Sequence, residues 1–344
     1  MTTKDTYPKD SLRLKMQQIT HQADSINSFE MVDAEGKDLP EYSAGAHIDF
    51  HFHDGRIRQY SLCGDPSDRK RYLIAVLRDI TGTGGSVDLY KRLHTQRDVF
   101  VGKPRNNFPI HKEADHHLMI AGGIGVTPML SMIYELQKAT VVPYHGSPSP
   151  TANDNFTLHY CTKSLENTAF KPELADLIKR GRVVLHHDQG IPGNGLDIKE
   201  LLKDYKTGTH LYYCGPPGFM GAVCSFSAHW PEDCVHYEYF GAPSKAIKTK
   251  ADFVENEKGS FQVKIASTGD IYNVPNGKTI IEVLAENGID IEMSCSSGLC
   301  KTCATKYLEG DVDHQDVVLT NKEKEEYMTP CVSRSKSDLL VLDL

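Results

Sequence analysis

The sequence predicts a multidomain chain: an antiparallel β-barrel, then an α/β domain on a parallel sheet, then a small α+β domain organised around cysteines. Three observations carry this. Short alternating polar and apolar runs, separated by turn residues, fill the first part. Strand and helix patterns alternate through the middle. Near the end stand Cys295, Cys300, Cys303 and Cys331, the first three spaced C-x4-C-x2-C. A length of 344 residues also exceeds one ordinary core. The expected divisions are 1–110, 111–241, a linker over 242–259, and 260–344.

In the first part, Ser11–Gln18, His47–Phe52, Gln59–Cys63 and Tyr72–Arg78 read as strands, with Asp54-Gly55 and Gly64-Asp65-Pro66 as turns. Strands at this spacing suit a small antiparallel barrel. One helix is expected through Val87–Leu93, after Gly84-Gly85-Ser86. Arg58-Gln59-Tyr60-Ser61 lies at a strand end. It offers an arginine for phosphate, an aromatic ring to pack on a ring system and a hydroxyl for a ring nitrogen, which suits a flavin nucleotide. The Gly84-Gly85-Ser86 turn offers free amides and the helix dipole to an anion, although an ordinary helix cap has the same composition.

The middle alternates His117–Ala121, helix Pro128–Gln137, Phe156–Thr162, helix Thr168–Lys179, Val183–His187, helix Asp197–Asp204, His210–Cys214 and a helix after Pro216. Such βαβ units build a parallel sheet that binds ligands at the carboxyl ends of its strands. Gly122-Gly123-Ile124-Gly125-Val126-Thr127-Pro128 follows one strand and opens a helix. Its glycines admit a pyrophosphate and Thr127 suits the helix cap, although it is not G-x-G-x-x-G and a bare glycine turn reads the same way. Cys214-Gly215-Pro216 ends a later strand and so falls at the same edge. The polar stretch Val141–Asn155 reads as a long loop.

The last part shows strands Phe261–Ser267, Ile271–Val274 and Leu339–Leu342, a helix Thr279–Asn287, and a polar helical stretch at Asn321–Tyr327. C-x4-C-x2-C with a distant fourth cysteine is the spacing of a plant-type [2Fe–2S] centre. Ser296, Ser297, Gly298, Thr302 and Ala304 are small enough for backbone to wrap the sulfurs closely. A structural zinc site fits less well, because it prefers repeated C-x2-C pairs. Cys63, Cys161, Cys214, Cys224 and Cys234 are expected as buried thiols.

Net charge is −8, which argues against nucleic-acid binding. Residues 259–344 hold 14 acidic and 8 basic side chains, a net of −6, so the cysteine-rich end is the acidic end. No run of 18 apolar residues suggests a membrane span, and Met-Thr-Thr-Lys-Asp-Thr-Tyr-Pro lacks the apolar stretch of a signal peptide. Nine cysteines without a signal sequence point to a reducing cytoplasm, where thiols serve a metal rather than disulfides. Of the sixteen histidines, His116-His117, His186-His187 and the Cys234-Val235-His236 segment read as core or surface.

Taken in order, these motifs resemble the phthalate dioxygenase reductase family, which includes the vanillate and carnitine oxygenase reductases; the resemblance runs from about residue 10 to the C-terminus. It implies an NADH-dependent reductase that passes electrons through FMN and a [2Fe–2S] cluster to a Rieske non-haem iron oxygenase, working as a monomer. It implies a flavin held by Arg58, Gln59, Tyr60 and Ser61, with Gly84, Gly85 and Ser86 at its phosphate. It implies a nicotinamide site lined by Gly123, Gly125, Thr127, Pro128, Thr162, Cys214, Gly215 and Pro216. Ser61, Cys214, Glu238 and Phe240 then surround the hydride-transfer position, and Cys295, Cys300, Cys303 and Cys331 ligate the cluster. Two departures stand out. Thr83 replaces an arginine before Gly-Gly-Ser, and Thr162-Lys163-Ser164 lacks the aspartate that selects the 2′-hydroxyl of NADH. The residues also leave open a different acceptor, a diiron monooxygenase or a cytochrome, or a redox sensor without turnover.

Overall fold

The computed structural model describes residues 7–8, 10–81, 84–138, 155–191, 193–240, 259–293, 296–299 and 301–344. The loop read at Val141–Asn155 lies outside them but for Asn155, as does the linker but for Gly259; so do Thr83, Cys295 and Cys300. The chain forms two compact units, Met1–Glu238 and Tyr239–Leu344.

The first unit opens with β1 (Leu12–Ala23), β2 (Ile26–Asp33), β3 (His47–His51), β4 (Ile57–Ser61), β5 (Arg71–Leu77), α1 (Gly85–Arg92) and β6 (Asp98–Val101). The sheet order is β4-β3-β6-β1-β2-β5. Leu62 just past β4 bridges Ile74 of β5, which closes the sheet into a barrel. Leu14, Met16, Phe29, Met31, Ile48, Phe50, Tyr72 and Ile74 alternate inward and fill it. β2 is an element the sequence pattern did not reveal. Its residues, Ile-Asn-Ser-Phe-Glu-Met-Val-Asp, are held as a strand by pairing with β1 on one side and β5 on the other.

The parallel sheet follows: β7 (His116–Gly122), α2 (Val126–Lys138), β8 (Phe156–Thr162), α3 (Lys171–Lys179), β9 (Val183–His187), α4 (Ile198–Leu202), β10 (Thr209–Cys214), α5 (Pro217–Phe226) and β11 (Val235–Glu238). Its order is β11-β10-β7-β8-β9. α3 begins at Lys171 rather than Thr168, because Thr168 is buried with its hydroxyl bonded to the Ser164 carbonyl at 2.9 Å. The sheet's core continues into the barrel: Ala44, Cys63 and Phe108 pack in the same cluster as Met119, Met129 and Met132. At this joint the Gly45 amide donates to Ser131 Oγ at 3.0 Å.

The second unit contains β12 (Phe261–Ile265), β13 (Ile271–Val274), α6 (Ile280–Glu286), β14 (Thr305–Glu309), β15 (Val312–Asp313), β16 (Tyr327–Met328), β17 (Arg334–Ser335) and β18 (Leu339–Leu342). The main sheet runs β13-β12-β18-β14-β16. Thr279 and Glu282 close a reciprocal cap on α6, whose Ile280, Ile281, Val283 and Leu284 are buried. The helix expected near Asn321–Tyr327 is only a three-residue turn, Glu323–Glu325. Glu323 caps that turn through Thr320 and also pairs with Lys301, and Tyr327 leaves to form β16. Among the described residues, no helix is long and apolar enough to cross a membrane.

Candidate cofactor sites

At the barrel edge, β4 pairs with β3 so that Phe50 faces Arg58, Asp49 faces Gln59, Ile48 faces Tyr60 and His47 faces Ser61. Arg58 and Tyr60 therefore share one face, and Gln59 and Ser61 the other. Gln59 donates to Asp49 at 3.1 Å, and Arg105 holds the same carboxylate at 2.7 Å, so Gln59 sits within a structural network. Burial pushes the Tyr60 phenol far above its ordinary range. Gly84 takes a left-handed φ of 86° where α1 begins. A Cβ on Gly85 would fall 2.8 Å from Arg58 Nε, so the guanidinium lies directly over the first residue of the helix. Ser86 is partly committed: its Oγ accepts from the Asp79 amide at 3.0 Å. Arg56 is paired with Asp54 and Asp88, and its guanidinium draws Asp54 down to about 2. An arginine above a helix start whose second glycine admits a side chain only if that arginine moves is a cradle that fits a phosphate.

At the sheet edge, the turn Gly123–Gly125 joins β7 to α2. A Cβ on Gly125 would lie 2.2 Å from the Cys214 carbonyl oxygen, and one on Gly122 would lie 2.9 Å from Pro216 Cδ. The two loops thus press together at the carboxyl ends of neighbouring strands, the position at which such sheets bind nucleotides. Gly123, at φ 55°, has open space around it. Thr127 does not cap α2. It lies one residue inside the helix, 2% exposed, and donates to the Ile124 carbonyl at 3.0 Å. Pro128 is buried beside it. Thr162 is also turned inward, donating to the Ser164 carbonyl at 3.1 Å and meeting His187 Nδ1 at 3.0 Å, whereas Lys163 is exposed. Gly215 is half-buried and Pro216 exposed at the head of α5.

The two edges meet at one carboxyl group. Glu238 ends β11 directly beside Cys214 of β10. The Ser61 hydroxyl donates to Glu238 Oε2 at 3.0 Å. Burial raises the Glu238 carboxyl to about 7, opposed by that hydrogen bond. Burial, then the neighbouring Glu238, raises the Cys214 thiol well above its ordinary range, so it stands here as S–H. His47 Nδ1 lies 3.7 Å from Glu238 Oε1, but burial lowers this imidazole to about 4, and the two form no ion pair at neutral pH. His47 was not singled out by sequence reasoning. The β3–β4 hairpin register, with its Asp54-Gly55 turn, was the signal that places it opposite Ser61. Phe240, two residues past β11, is 43% exposed.

In the second unit, Cys303 and Cys331 are buried with Sγ atoms 3.3 Å apart, beside Ile281, Ile291 and Val332. Two converging thiols at non-bonded distance fit two ligands of one metal centre. Their loop turns through left-handed Ser296, Gly298 and Lys301. A Cβ on Gly298 would meet Val332 Cγ2 at 2.7 Å, so backbone packs where a side chain has no room. Lys301 is held by both oxygens of Glu323 at 2.8 Å.

The expectation of buried thiols holds for two of the other five cysteines and fails for three. Cys63 and Cys214 are buried, Cys161 and Cys234 only partly, and Cys224 is exposed on α5. Sequence reasoning singles out neither His111 nor His210 and reads the His236 segment as core. The fold gathers His111, His210 and His236, whose ring nitrogens lie within 4.8 Å of one another at the far end of β10 and β11.

Residues 263–336 match the 2Fe-2S iron-sulfur cluster binding domain family, and residues 103–231 match the N-terminal domain of dimethylamine monooxygenase subunit DmmA-like proteins. The chain is 50% identical to a tert-butanol monooxygenase / tert-amyl alcohol desaturase reductase subunit of Aquincola tertiaricarbonis, covering 98% of this chain and 97% of the relative. It is 38% identical to the phthalate dioxygenase reductase of Burkholderia cepacia, covering 97% of each. A solved phthalate dioxygenase reductase, described as a modular structure for electron transfer from pyridine nucleotides to [2Fe-2S], matches at 38% identity with a TM-score of 0.68, covering 97% of this chain and 98% of that one. With almost the whole chain matched by relatives of one kind, the chain belongs to the phthalate dioxygenase reductase family and is an iron–sulfur flavoprotein oxidoreductase.

Proposed function

We propose that this chain is the NADH-dependent reductase component of a two-component oxygenase, and that its acceptor is a Rieske non-haem iron protein. The carrying observation is the Ser61–Glu238 hydrogen bond beside Cys214, which joins the barrel edge to the sheet edge at one largely buried carboxyl. When bound, FMN and the [2Fe–2S] cluster supply the conversion of a two-electron hydride into single electrons.

The chain's own residues bind, orient and exclude water. Arg58 and the amides of Gly84, Gly85 and Ser86 hold the flavin phosphate, while Gln59 and Tyr60 support the ring. Gly123, Gly125, Thr127, Pro128, Thr162, Gly215 and Pro216 shape the nucleotide edge. Thr127, Pro128 and Thr162 do so from beneath, through the turns they stabilise. Glu238, poised at about 7 and fixed by Ser61, holds or releases a proton near the reacting position. Cys214, uncharged and buried, keeps that position dry. Phe240 covers it. Cys295, Cys300, Cys303 and Cys331 hold the cluster. Residues 1–110, 111–241 and 260–344 are then the flavin, nucleotide and cluster modules of a cytoplasmic monomer.

The test pairs the purified holoenzyme with purified acceptors and follows NADH consumed against substrate oxidised. A Rieske oxygenase should turn over at least about tenfold faster than a diiron monooxygenase or a cytochrome at equal concentration, since acceptor choice rests on docking complementarity. Equal rates with all three would reject the Rieske assignment.

A further inference from the structure

Outside the cofactor edges, the densest group of metal-binding side chains among the described residues is the histidine trio. His210 is the second residue of β10 and His236 the second of β11, neighbouring parallel strands. His210 Nδ1 meets His236 Nε2 at 2.9 Å. His111 reaches them from the connector between β6 and β7, its ring centroid 4.9 Å from His210 and 4.6 Å from His236. A thiol stands beside them, Cys234 Sγ at 3.9 Å from His210 Nε2. The connector is anchored there, with the His111 amide donating to the Tyr212 hydroxyl at 2.8 Å and its carbonyl meeting His117 Nε2 at 2.9 Å.

We infer that His111, His210 and His236 form a binding site for a borderline divalent transition metal ion of the zinc type, with water as fourth ligand. Imidazole donors select such ions over magnesium or calcium. Tetrahedral zinc at about 2.0–2.1 Å from nitrogen needs ligand nitrogens roughly 3.4 Å apart, which small ring rotations achieve within a 4.8 Å group. The exposed His111 marks the entry side. The site lies at the amino ends of β10 and β11, while Cys214 and Glu238 stand at their carboxyl ends. The ion therefore acts as a clamp tying the connector to the sheet, not as part of electron transfer.

Untagged holoenzyme is dialysed against micromolar-range zinc chloride, and zinc, iron and flavin are counted per chain. Wild type should retain one zinc equivalent more than His210→Ala/His236→Ala at unchanged iron and flavin, and zinc should raise its melting temperature alone. His111→Ala, on an exposed connector residue, guards against misfolding of the double variant and should weaken zinc retention at least about tenfold. NADH-driven ferricyanide reduction should stay unchanged in these variants. Equal zinc retention and equal thermal shift in wild type and His111→Ala would overturn the site, leaving a ring stack only.

Discussion

A single carboxyl concentrates the chemistry at the residue scale. Burial holds Glu238 at about 7, against an ordinary value of 4.5. Between those values the folded chain keeps a proton that the unfolded chain has released. The stabilisation is complete below 4.5 and fades as pH rises through 7, a change on the order of 3 kcal/mol. Glu238→Gln keeps an acceptor for Ser61 but cannot titrate, so its stability should be flatter over this range. Urea midpoints of both proteins at pH 5 and 7.5 measure this, and equal pH sensitivity would remove Glu238 as the source. Ser61 acts in the opposite direction to burial, because its hydrogen bond favours the carboxylate. Ser61→Ala should therefore move the Glu238-dependent limb of the pH profile for NADH-driven reduction to higher pH. A limb that stays put would mean that the hydroxyl does not bond the carboxylate in solution.

Glycine positions separate structural from binding roles at the element scale. Gly125→Ala would drive a methyl into the Cys214 carbonyl, backbone against backbone, and neither strand end can yield cheaply. It should cost about 2–4 kcal/mol and most NADH-driven activity. Gly123→Ala meets no neighbour and pays only for its left-handed φ, about 1 kcal/mol. Gly85→Ala meets the flexible end of Arg58, so melting temperature should barely move while flavin affinity falls. Thermal melts with flavin titrations rank the three variants, and a destabilised Gly123→Ala beside a tolerated Gly125→Ala would contradict the packing described here.

The two compact units make a modular prediction at the scale of the whole molecule. Cys303 and Cys331 belong to Tyr239–Leu344, while Ser61, Cys214 and Glu238 belong to Met1–Glu238. Cys303→Ser should abolish delivery to the oxygenase yet spare NADH-driven flavin bleaching in stopped flow. Loss of bleaching in a folded variant would deny the modularity. The net charge of −6 over residues 259–344 predicts a partner with basic residues at its electron entry, and coupled turnover that falls as salt rises. Lys301 does not offset that field freely, since Glu323 neutralises it. Glu292, exposed shortly before Cys295, is the acid to reverse. Glu292→Lys should slow turnover with the oxygenase but leave reduction of a small neutral acceptor unchanged, whereas indifference to both charge and salt would reduce these acids to a solubilising surface.

The sequence by itself determined the order of the three parts, four of the five strands of the parallel sheet with the helices between them, and a cysteine spacing whose iron–sulfur reading the matched domain family supports. Each is written in short-range pattern: a period of two or of 3.6 residues, a glycine turn between strand and helix, a fixed cysteine spacing. Where neighbours compete for one residue, local pattern misled, as when Thr127 turned from cap to inner bond and Glu323 drew the Asn321–Tyr327 stretch into a tight turn. Only the tertiary structure decided that Ser61 bonds a carboxylate far along the chain, that this carboxylate titrates near neutrality, and that His111, His210 and His236 share one end of the sheet. Desolvation and long-range contact fix those properties, and both depend on which distant strand ends are packed together, which no local spacing records.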